Sequence, residues 1–550
     1  MTPGNALRAR RWAAAAIAVG AAYRLVHYGF NPSLTIDDAM LSVNIAGRSW
    51  LGLAHPLAFQ QTAPLGFLWA LRSAVVLGGN DEWALRILPL LAGLALPFIV
   101  WALGRRFLSP AGAALAAAFA ALSPILIQYT ISVKPYETDA LAAVALGLAT
   151  LSVWEAPSAA RWALLCGLGV LAELVSTPAV FVLAGCGVAL AIGLRRRGWA
   201  PLAIVGAVWT ALFAVLYFAL AHSAATSPYM QWFWDHKFLT PGVLIADPLR
   251  AWDILQRLPT QAFTGDAPQV VALAFCWLAA IAGVARLVPR QGARVWVLVG
   301  PILAALLASA VRRYPVSPRL FVFAAPLVAV VLAAGVEAGW ERWQGSRRAW
   351  GFRALVGVWL VILAAMSVNI RRLWAPPTRP LVAELSRQTG SHEPVYLYAG
   401  SVPAWLLYGI DWKGGTDTAL ARVVEGTQAW NGRDFHNAPS RGRAVADTEG
   451  AESVFRWRGR PLVVGLSTGI AWREGQWLSQ MRPDPGWAER DAARIDAVTD
   501  STAWVLFTQV YRREIPTLLR ALEMRGARAV DSSGSRGAYL YRVRFSRGPR

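Results

Sequence analysis

Two adjacent carboxylates, Asp37 and Asp38, follow the first long apolar segment, at the point where a helix leaving a bilayer would meet water. A carboxylate at a membrane interface can act as a general base on an acceptor hydroxyl or amine. Two neighbouring carboxylates also raise each other's pKa, which suits a base. A structural role is the alternative, because an aspartate before Ala39 would be a good N-cap for the next helix.

A second polar stretch, residues 132–139, lies at an equivalent exit from a later apolar segment. Ionisable groups at a membrane boundary are costly and tend to be functional, although an ordinary solvated loop is the alternative. Lys134 could bind a phosphate as a compact point charge. We predict that residues 132–139 and the acidic pair face each other and form the catalytic end of a membrane-embedded transferase.

A third cluster contains Arg312, Arg313, Tyr314 and Arg319. Guanidinium groups match phosphate oxygens bidentately, so that the cluster could bind a lipid-linked phosphate. On the outer face it would break the positive-inside rule. An error in the topology, or arginines that extend to lipid headgroups, is therefore the alternative.

No metal or cofactor is predicted. The sequence has neither a Gly-x-x-x-x-Gly-Lys phosphate loop nor a His-Glu-x-x-His metal motif. The three cysteines lie in apolar segments and have no zinc spacing. The aromatic stretch 232–237, which contains His236, is typical of an interfacial aromatic belt.

The composition requires most of the chain to lie in a membrane. Of its 550 residues, 56% are hydrophobic and 15% are charged, whereas about a quarter are charged in soluble domains. The net charge of +21 could suggest a nucleic-acid partner, but many basic residues cluster in short stretches between apolar segments. We predict a polytopic α-helical membrane protein that contacts membrane lipid and binds no nucleic acid.

Segments of about 20 apolar residues predict about eleven transmembrane helices. They lie near residues 11–29, 83–104, 109–128, 138–154, 161–176, 178–194, 200–221, 268–286, 294–311, 319–338 and 350–369. Residues 64–79 are short and contain Arg72, and we predict an interfacial helix there. The first segment follows Arg8, Arg10 and Arg11 and is predicted to be a retained helix.

With the N-terminus in the cytoplasm, five arginine-containing connections fall on the cytoplasmic side. We therefore predict a multi-pass protein of the cell inner (plasma) membrane, with a transmembrane domain over residues 1–372. Residues 373–550 are predicted to form an extracytoplasmic α/β domain, because their apolar runs are short and separated by polar stretches. Its predicted strands and helix lie at 395–399, 462–466, 504–508 and 539–545, and at 515–524.

In this order, the motifs resemble those of the GT-C glycosyltransferases. The branch is that of the protein O-mannosyltransferases and the lipid A aminoarabinose transferase (glycosyltransferase family 39). The resemblance covers about residues 10–340. It rests on the acidic pair, a proline-led interfacial helix, an Asn-Asp-Glu-Trp-Ala-Leu-Arg entry to the next span, a Gly-Arg-Arg element and a Lys-Pro-Tyr-x-x-Asp turn.

The resemblance implies a polyprenyl-phosphate sugar donor and transfer outside the cytoplasm to a protein, lipid or glycan acceptor. It places the catalytic aspartate on Asp37, with Asp38 where many members carry glutamate. Asp37 would deprotonate the acceptor in a direct displacement with inversion. Specificity would reside in loop 222–267 and the C-terminal domain.

The resemblance also places Lys134 and Tyr136 on the family's motif after the third span. Ser132 departs from the usual glutamate, and Asp139 or Glu137 could replace that acid. The candidate residues are Asp37 and Asp38 for catalysis, Lys134, Arg312, Arg313 and Arg319 for the donor phosphate, and Gln61, Tyr136, Glu137, Asp139 and Tyr314 for substrate binding.

Two other functions are possible for such a chain. A transporter or lipid flippase often has inverted repeats and a site at the bilayer midplane. The sequence has no evident repeat, and its polar residues concentrate on one face, which favours the enzyme. A non-catalytic scaffold would be favoured if Asp37 and Lys134 did not share one site.

Overall fold

A computed structural model provides the structure of the chain. It describes residues 3–79, 81–194, 199–226, 228–259, 270–368, 376–388, 393–409, 454–457, 460–465, 471–473, 476–478, 486–508, 514–535 and 537–546. Within these residues the N-terminal part is helical, and a six-stranded sheet forms the centre of the C-terminal part. The predicted division between residues 372 and 373 lies outside the described residues.

The helices of the N-terminal part alternate with short connections. They are α1 (Pro3–Phe30), α2 (Ile36–Gly47), α3 (Leu65–Gly78), α4 (Glu82–Gly104), α5 (Pro110–Leu122), α6 (Pro124–Tyr129), α7 (Tyr136–Glu155), α8 (Ala159–Val175), α9 (Ala179–Leu194), α10 (Trp199–Leu216), α11 (His222–Ala225), α12 (Pro228–Phe233), α13 (Pro241–Ala246), α14 (Pro248–Leu255), α15 (Val270–Gln291), α16 (Trp296–Ala310), α17 (Ala325–Trp343) and α18 (Arg348–Val368). Tighter 3-10 turns include Ala58–Gln60, Asp235–Lys237 and Pro318–Ala324.

The described parts of all eleven predicted spans are helical over almost their whole length, which confirms the α-helical membrane domain. By length and composition, six helical stretches in the described residues could cross a membrane. These are Glu82–Gly104, Tyr136–Glu155, Trp199–Ala221, Leu273–Ala310, Pro318–Trp343 and Arg348–Val368. The number is below eleven partly because two predicted spans join in Leu273–Ala310, and two others coincide with shorter helices, α5 and α9.

Helix α17 lies at the centre of the bundle, and its residues from Ala325 to Glu337 are buried. Its contact with α15 depends on two glycines. A Cβ atom at Gly335 would lie 1.9 Å from the Ala279 carbonyl oxygen, and one at Gly283 would lie 2.0 Å from the Val331 carbonyl oxygen. Small residues at such crossings let two backbones approach closely, which is how membrane helices gain packing energy without a hydrophobic driving force.

The C-terminal part is a mixed α/β fold. Its strands are β1 (Val395–Leu397), β2 (Val454–Trp457), β3 (Arg460–Val464), β4 (Ala471–Arg473), β5 (Gln476–Leu478), β6 (Thr502–Thr508), β7 (Ala527–Ser535) and β8 (Ala538–Phe545). The main sheet has the order β2-β3-β1-β6-β8-β7, with β1 parallel to both β3 and β6. The predicted strands coincide with β1, β3, β6 and β8.

Helices cover both faces of this sheet. They are α19 (Thr378–Gln388), α20 (Val402–Tyr408), α21 (Trp487–Val498) and α22 (Glu514–Glu523). The predicted helix at 515–524 coincides with α22. Helices α21 and α22 bury one face, and α19 and α20 bury the other. Both faces of the parallel strands are therefore apolar, as expected for strands enclosed between helices.

The C-terminal part docks onto the first helices of the membrane domain. Glu82, at the start of α4, is buried and accepts hydrogen bonds from Arg379 Nη1 at 2.7 Å and from the Tyr408 hydroxyl at 2.9 Å. The Tyr408 oxygen in turn accepts from the backbone N–H of Leu34 at 2.8 Å. Since Leu34 lies two residues before α2 and next to its N-cap, this polar contact helps to fix where α2 begins.

The glycine contact between α15 and α17 predicts a selective effect of added volume. Gly335→Ala should destabilise the protein by about 1–3 kcal/mol, because the new methyl group overlaps a backbone carbonyl that cannot move aside cheaply. Gly357→Ala on α18 is the matched control, since a Cβ atom there meets nothing within 4 Å. Thermal unfolding in detergent should give a lower Tm for the first variant only. Equal Tm values would contradict the close contact.

Candidate functional site

The first turn of α2 carries both acidic residues. Thr35 is its N-cap, and the Thr35 side chain accepts a hydrogen bond from the Asp38 N–H at 3.3 Å. The alternative in which Asp37 or Asp38 is the N-cap is therefore wrong, because a threonine two residues earlier already fills that position. The positive end of the helix dipole favours both carboxylates at this place.

Asp38 joins the two polar stretches that were predicted to meet. Its carboxylate is buried, and Oδ1 accepts from the Ser132 hydroxyl at 2.6 Å and from the Val133 N–H at 2.9 Å. The acidic pair and residues 132–139 therefore lie face to face. Through these two hydrogen bonds Asp38 holds the turn at Ser132 against α2.

The Asp37 carboxylate is accessible, with 45% of its side chain exposed, and accepts a hydrogen bond from Arg319 Nη1 at 2.6 Å. Partial desolvation by the surrounding protein opposes ionisation, but Arg319 and Lys134 outweigh it and hold the pKa of Asp37 below its usual value. The predicted rise in pKa through Asp38 is therefore wrong for Asp37. Two cations dominate its environment, and they come from distant parts of the chain.

Lys134 is buried beside this carboxylate. Its Nζ donates a hydrogen bond to the Gln61 side-chain oxygen at 2.7 Å. Burial lowers the pKa of Lys134 below that of an ordinary lysine, although Asp37 and Asp38 oppose the shift. The structure thus brings together Asp37, Lys134, Arg319 and Gln61, all four of which were candidate residues.

Arg319 is the second residue of the 3-10 turn Pro318–Ala324, which lies opposite α2. Its guanidinium lies 4.9 Å from the centre of the Trp234 ring, which is a favourable cation–π distance. Tyr136 lies within electrostatic range of Arg319 and packs edge-to-face on Tyr129 with ring centres 4.6 Å apart. Arg319 is therefore paired with Asp37 and also packs against an aromatic ring.

Two of the predicted phosphate ligands lie elsewhere. Arg312 donates to Asp235 Oδ1 at 2.8 Å and stacks on the Phe238 ring, and Arg313 is exposed. Arg312 has a left-handed backbone conformation, with φ of 59°. Of the three arginines, Arg319 is the one that pairs with Asp37, whereas Arg312 pairs with Asp235.

Three predicted substrate-binding residues point into the helical bundle. Glu137 is fully buried and faces Arg24, Asp139 is buried beside Ser176, and the buried Tyr314 donates its hydroxyl to the Leu320 carbonyl. Glu137 and Asp139 project from different sides of α7, because two residues advance an α-helix by about 200°. Each therefore faces a different neighbour, Arg24 of α1 or Ser176 after α8. In the structure these three side chains lie beneath the group formed by Asp37, Lys134, Arg319 and Gln61, and their contact with substrate stays a prediction.

Sequence reasoning missed the role of Trp234. The sequence pattern predicts an interfacial belt over residues 232–237, and in the structure the Trp234 ring also covers Arg319. The accompanying His236 has its pKa lowered to about 4 by burial and by the cations Lys237 and Arg250, so that it is neutral at physiological pH. Among the described residues, no group of three or more histidine, cysteine or acidic side chains could hold a metal ion.

Comparisons with known proteins agree with this architecture. Residues 62–223 match the family model of the dolichyl-phosphate-mannose-protein mannosyltransferases. No curated protein sequence gives a significant match. The oligosaccharyltransferase AglB from Archaeoglobus fulgidus, solved in complex with an inhibitory peptide and a dolichol-phosphate, superposes with a TM-score of 0.51 at 12% identity. That match covers 97% of this chain and 74% of AglB.

Two further solved structures are similar. The Archaeoglobus fulgidus oligosaccharyltransferase in complex with Zn and sulfate has a TM-score of 0.48 at 13% identity, over 72% of this chain. The chain spans 61% of the length of that protein. ArnT from Cupriavidus metallidurans in the apo state has a TM-score of 0.44 at 12% identity, over 97% of this chain and 98% of ArnT.

The resemblance recognised from the sequence motifs is thus confirmed at the level of the fold by the superposition on AglB, and part of the chain matches a family model. The helical bundle, its apolar spans and the C-terminal α/β sheet make up one architecture. The chain is a multi-pass membrane protein of the GT-C fold that is similar, over residues 62–223, to the dolichyl-phosphate-mannose-protein mannosyltransferases.

Proposed function

We propose that the protein is a membrane glycosyltransferase that moves a sugar from a polyprenyl-phosphate donor to an extracytoplasmic acceptor, with inversion at the sugar carbon. One observation carries this proposal. An accessible carboxylate, Asp37, lies between the cations Arg319 and Lys134. A base and a binding site for a phosphate dianion are what transfer from a lipid phosphate requires of a protein.

In the proposed reaction the two cations hold the donor phosphate. As the bond between the sugar carbon and the phosphate oxygen breaks, the electron pair goes to that oxygen, and Lys134 and Arg319 stabilise the growing charge. Asp37 accepts the proton of the acceptor hydroxyl or amine while the acceptor attacks the opposite face of the sugar carbon. The products are the glycosylated acceptor and a polyprenyl phosphate.

Donor binding also changes the basicity of the Asp37 carboxylate. Without donor, Arg319 is paired with Asp37, which keeps the carboxylate ionised but weakly basic. A phosphate that draws the guanidinium towards itself removes part of this stabilisation, so that Asp37 becomes a stronger base when a donor is present. Proton transfer is thereby linked to occupancy of the donor site.

The fold comparison supports a lipid-phosphate donor, because AglB, whose fold is similar, was solved with a dolichol-phosphate. The positive-inside argument supports an orientation in which the site and the C-terminal domain face away from the cytoplasm of an inner (plasma) membrane. The acceptor class is a protein, lipid or glycan. The site lies beside the docked C-terminal domain, and this position supports an enzyme over a transporter or lipid flippase with a midplane site.

Removing the proposed base should abolish transfer without abolishing donor binding. We expect Asp37→Asn to lower the transfer rate by about 10²–10⁴-fold, the usual contribution of a general base. Its affinity for undecaprenyl phosphate should be kept or increased, because Arg319 loses its competing carboxylate. The measurement is transfer by purified protein from a panel of polyprenyl-phosphate sugars, together with equilibrium binding.

Asp38→Asn is the matched control for that variant. It keeps a side-chain oxygen that can accept from Ser132 and Val133, so that the loss of transfer should be smaller than for Asp37→Asn. Transfer at the wild-type rate by stable Asp37→Asn protein would show that Asp37 is not the base.

The lowered pKa of Lys134 predicts a pH dependence of binding. The ammonium is charged below its pKa, so that affinity for undecaprenyl phosphate should fall as the pH rises through that value, below the range of an ordinary lysine. Titrations above about pH 7, where a phosphate monoester is already mostly dianionic, isolate this effect. Lys134→Arg should remove the alkaline decrease, because a guanidinium stays protonated. An identical decrease in both proteins would exclude Lys134 as its source.

The separation of the arginines predicts unequal contributions to donor binding. Arg319→Gln should weaken undecaprenyl phosphate binding by about ten- to a hundredfold, the effect of losing a charge-assisted hydrogen bond. Arg313→Gln removes the same charge from an exposed position and should change affinity little. Equal losses in the two variants would mean that the phosphate lies near residues 312 and 313 instead.

A further inference from the structure

The short loop that ends at Gln61 connects the candidate site with the C-terminal domain. We propose that Gln61 is a positioning residue that holds the Lys134 ammonium beside Asp37, and that the C-terminal domain keeps this loop in place by packing on Phe59. The functional meaning of this arrangement depends on the proposed role of Lys134 as a phosphate ligand. The positioning role differs from the direct contact with substrate that the sequence predicted for Gln61.

The Gln61 amide is occupied at both ends. Its oxygen accepts from Lys134 Nζ at 2.7 Å, and its Nε2 donates to the Phe59 carbonyl at 3.2 Å and approaches the Met40 sulfur at 3.6 Å. An ammonium group can only donate hydrogen bonds, so that the amide oxygen must face Lys134. Gln61 thus links the Lys134 side chain to the backbone of its own loop.

The loop is anchored on the helix that carries Asp37. The Asn44 side chain on α2 accepts from the Ala58 N–H at 2.7 Å and donates to the Ala58 carbonyl at 3.3 Å. The same amide donates to the Met40 carbonyl within α2 at 2.9 Å. One helix therefore carries Asp37 in its first turn and the anchor of the Lys134-holding loop in its third turn.

Phe59 shows what keeps the loop in this conformation. It adopts a left-handed backbone with φ of 61° and ψ of 30°, which is unfavourable for an aromatic residue. Such a conformation persists only when its surroundings over-determine it. Phe59 is buried in one apolar cluster with Leu381, Trp405 and Leu406 of the C-terminal domain, and this packing supplies the constraint.

An ammonium group that is already fixed in position by Gln61 can bind a phosphate with a smaller loss of entropy. The lysine side chain has four flexible methylene groups, and restricting it in advance removes an entropy cost that donor binding would otherwise bear. A preorganised charge also needs no rearrangement when the leaving phosphate gains charge. The C-terminal domain thus becomes a structural part of the donor site through its packing on this loop.

The reactivity of the Lys134 amine tests this proposal in the full-length protein without any donor. Acetic anhydride modifies only the neutral amine, and mass spectrometry gives the ratio of Lys134 to Lys237 labelling within one sample. Gln61→Met keeps the side-chain volume but removes the acceptor, and we expect it to raise this ratio about three- to tenfold. Gln61→Glu keeps an acceptor and adds a negative charge, and it should lower the ratio.

A substitution of Asn44, which anchors the loop to α2, tests whether the loop positions Lys134 through Gln61. Asn44→Ala touches neither Lys134 nor Asp37, yet it should raise the ratio in the same direction as Gln61→Met. The double variant should equal the single Gln61→Met variant, because both changes act through one interaction. Additive effects of the two substitutions would show that Asn44 does not act on Lys134 through Gln61. Unchanged labelling ratios in both Gln61 variants would show that Gln61 does not position the Lys134 amine.

A separate measurement tests whether Lys134 binds the donor phosphate at all. If Lys134→Ala bound undecaprenyl phosphate as tightly as the wild-type protein, Lys134 would not be a donor ligand. The labelling ratios would still report whether Gln61 positions its amine, because no lipid takes part in that experiment.

Discussion

The ion pair between Asp37 and Arg319, 2.6 Å long, joins the first helix after the N-terminal span to a turn 282 residues away. Charges in a partly desolvated site are stable only when each has partners, and the surrounding contacts provide them. Asp38 is satisfied by Ser132 and Val133, and Lys134 by Gln61. The site is thus a small network in which one carboxylate, Asp37, remains accessible.

The position of α2 decides the geometry of this network. Its N-terminus is set by Thr35 and by the contact between Leu34 and Tyr408, and its later turns anchor the loop at Ala58. The C-terminal domain contacts both regions, so that it acts on the site through the backbone of α2 and its loop. The conformation of the donor site is therefore linked to the docking of the C-terminal domain. A substitution that alters this docking should also alter the donor site.

The sequence predicted the parts of this site that depend on local pattern. Two polar stretches that leave apolar segments on the same side of a membrane are predicted to meet, and they do so through Asp38 and Ser132. The helices and strands followed from the length and period of the apolar runs. The burial of Glu137 and Asp139 was beyond such reasoning, since the groups that they face, Arg24 and Ser176, are distant in sequence. The pKa of Asp37 was predicted with the wrong sign because its partner Arg319 is distant in sequence. The left-handed turn at Arg312 likewise has no signature in a run of arginines.

The central claim is that Asp37, Lys134 and Arg319 form the donor site. A structure of the full-length protein with bound undecaprenyl phosphate tests it most directly. The account predicts phosphate oxygens within hydrogen-bonding distance of both Lys134 Nζ and the Arg319 guanidinium, with Asp37 facing the position that the sugar would occupy. A phosphate bound at Arg312 and Arg313, with the ion pair of Asp37 and Arg319 intact, would contradict it.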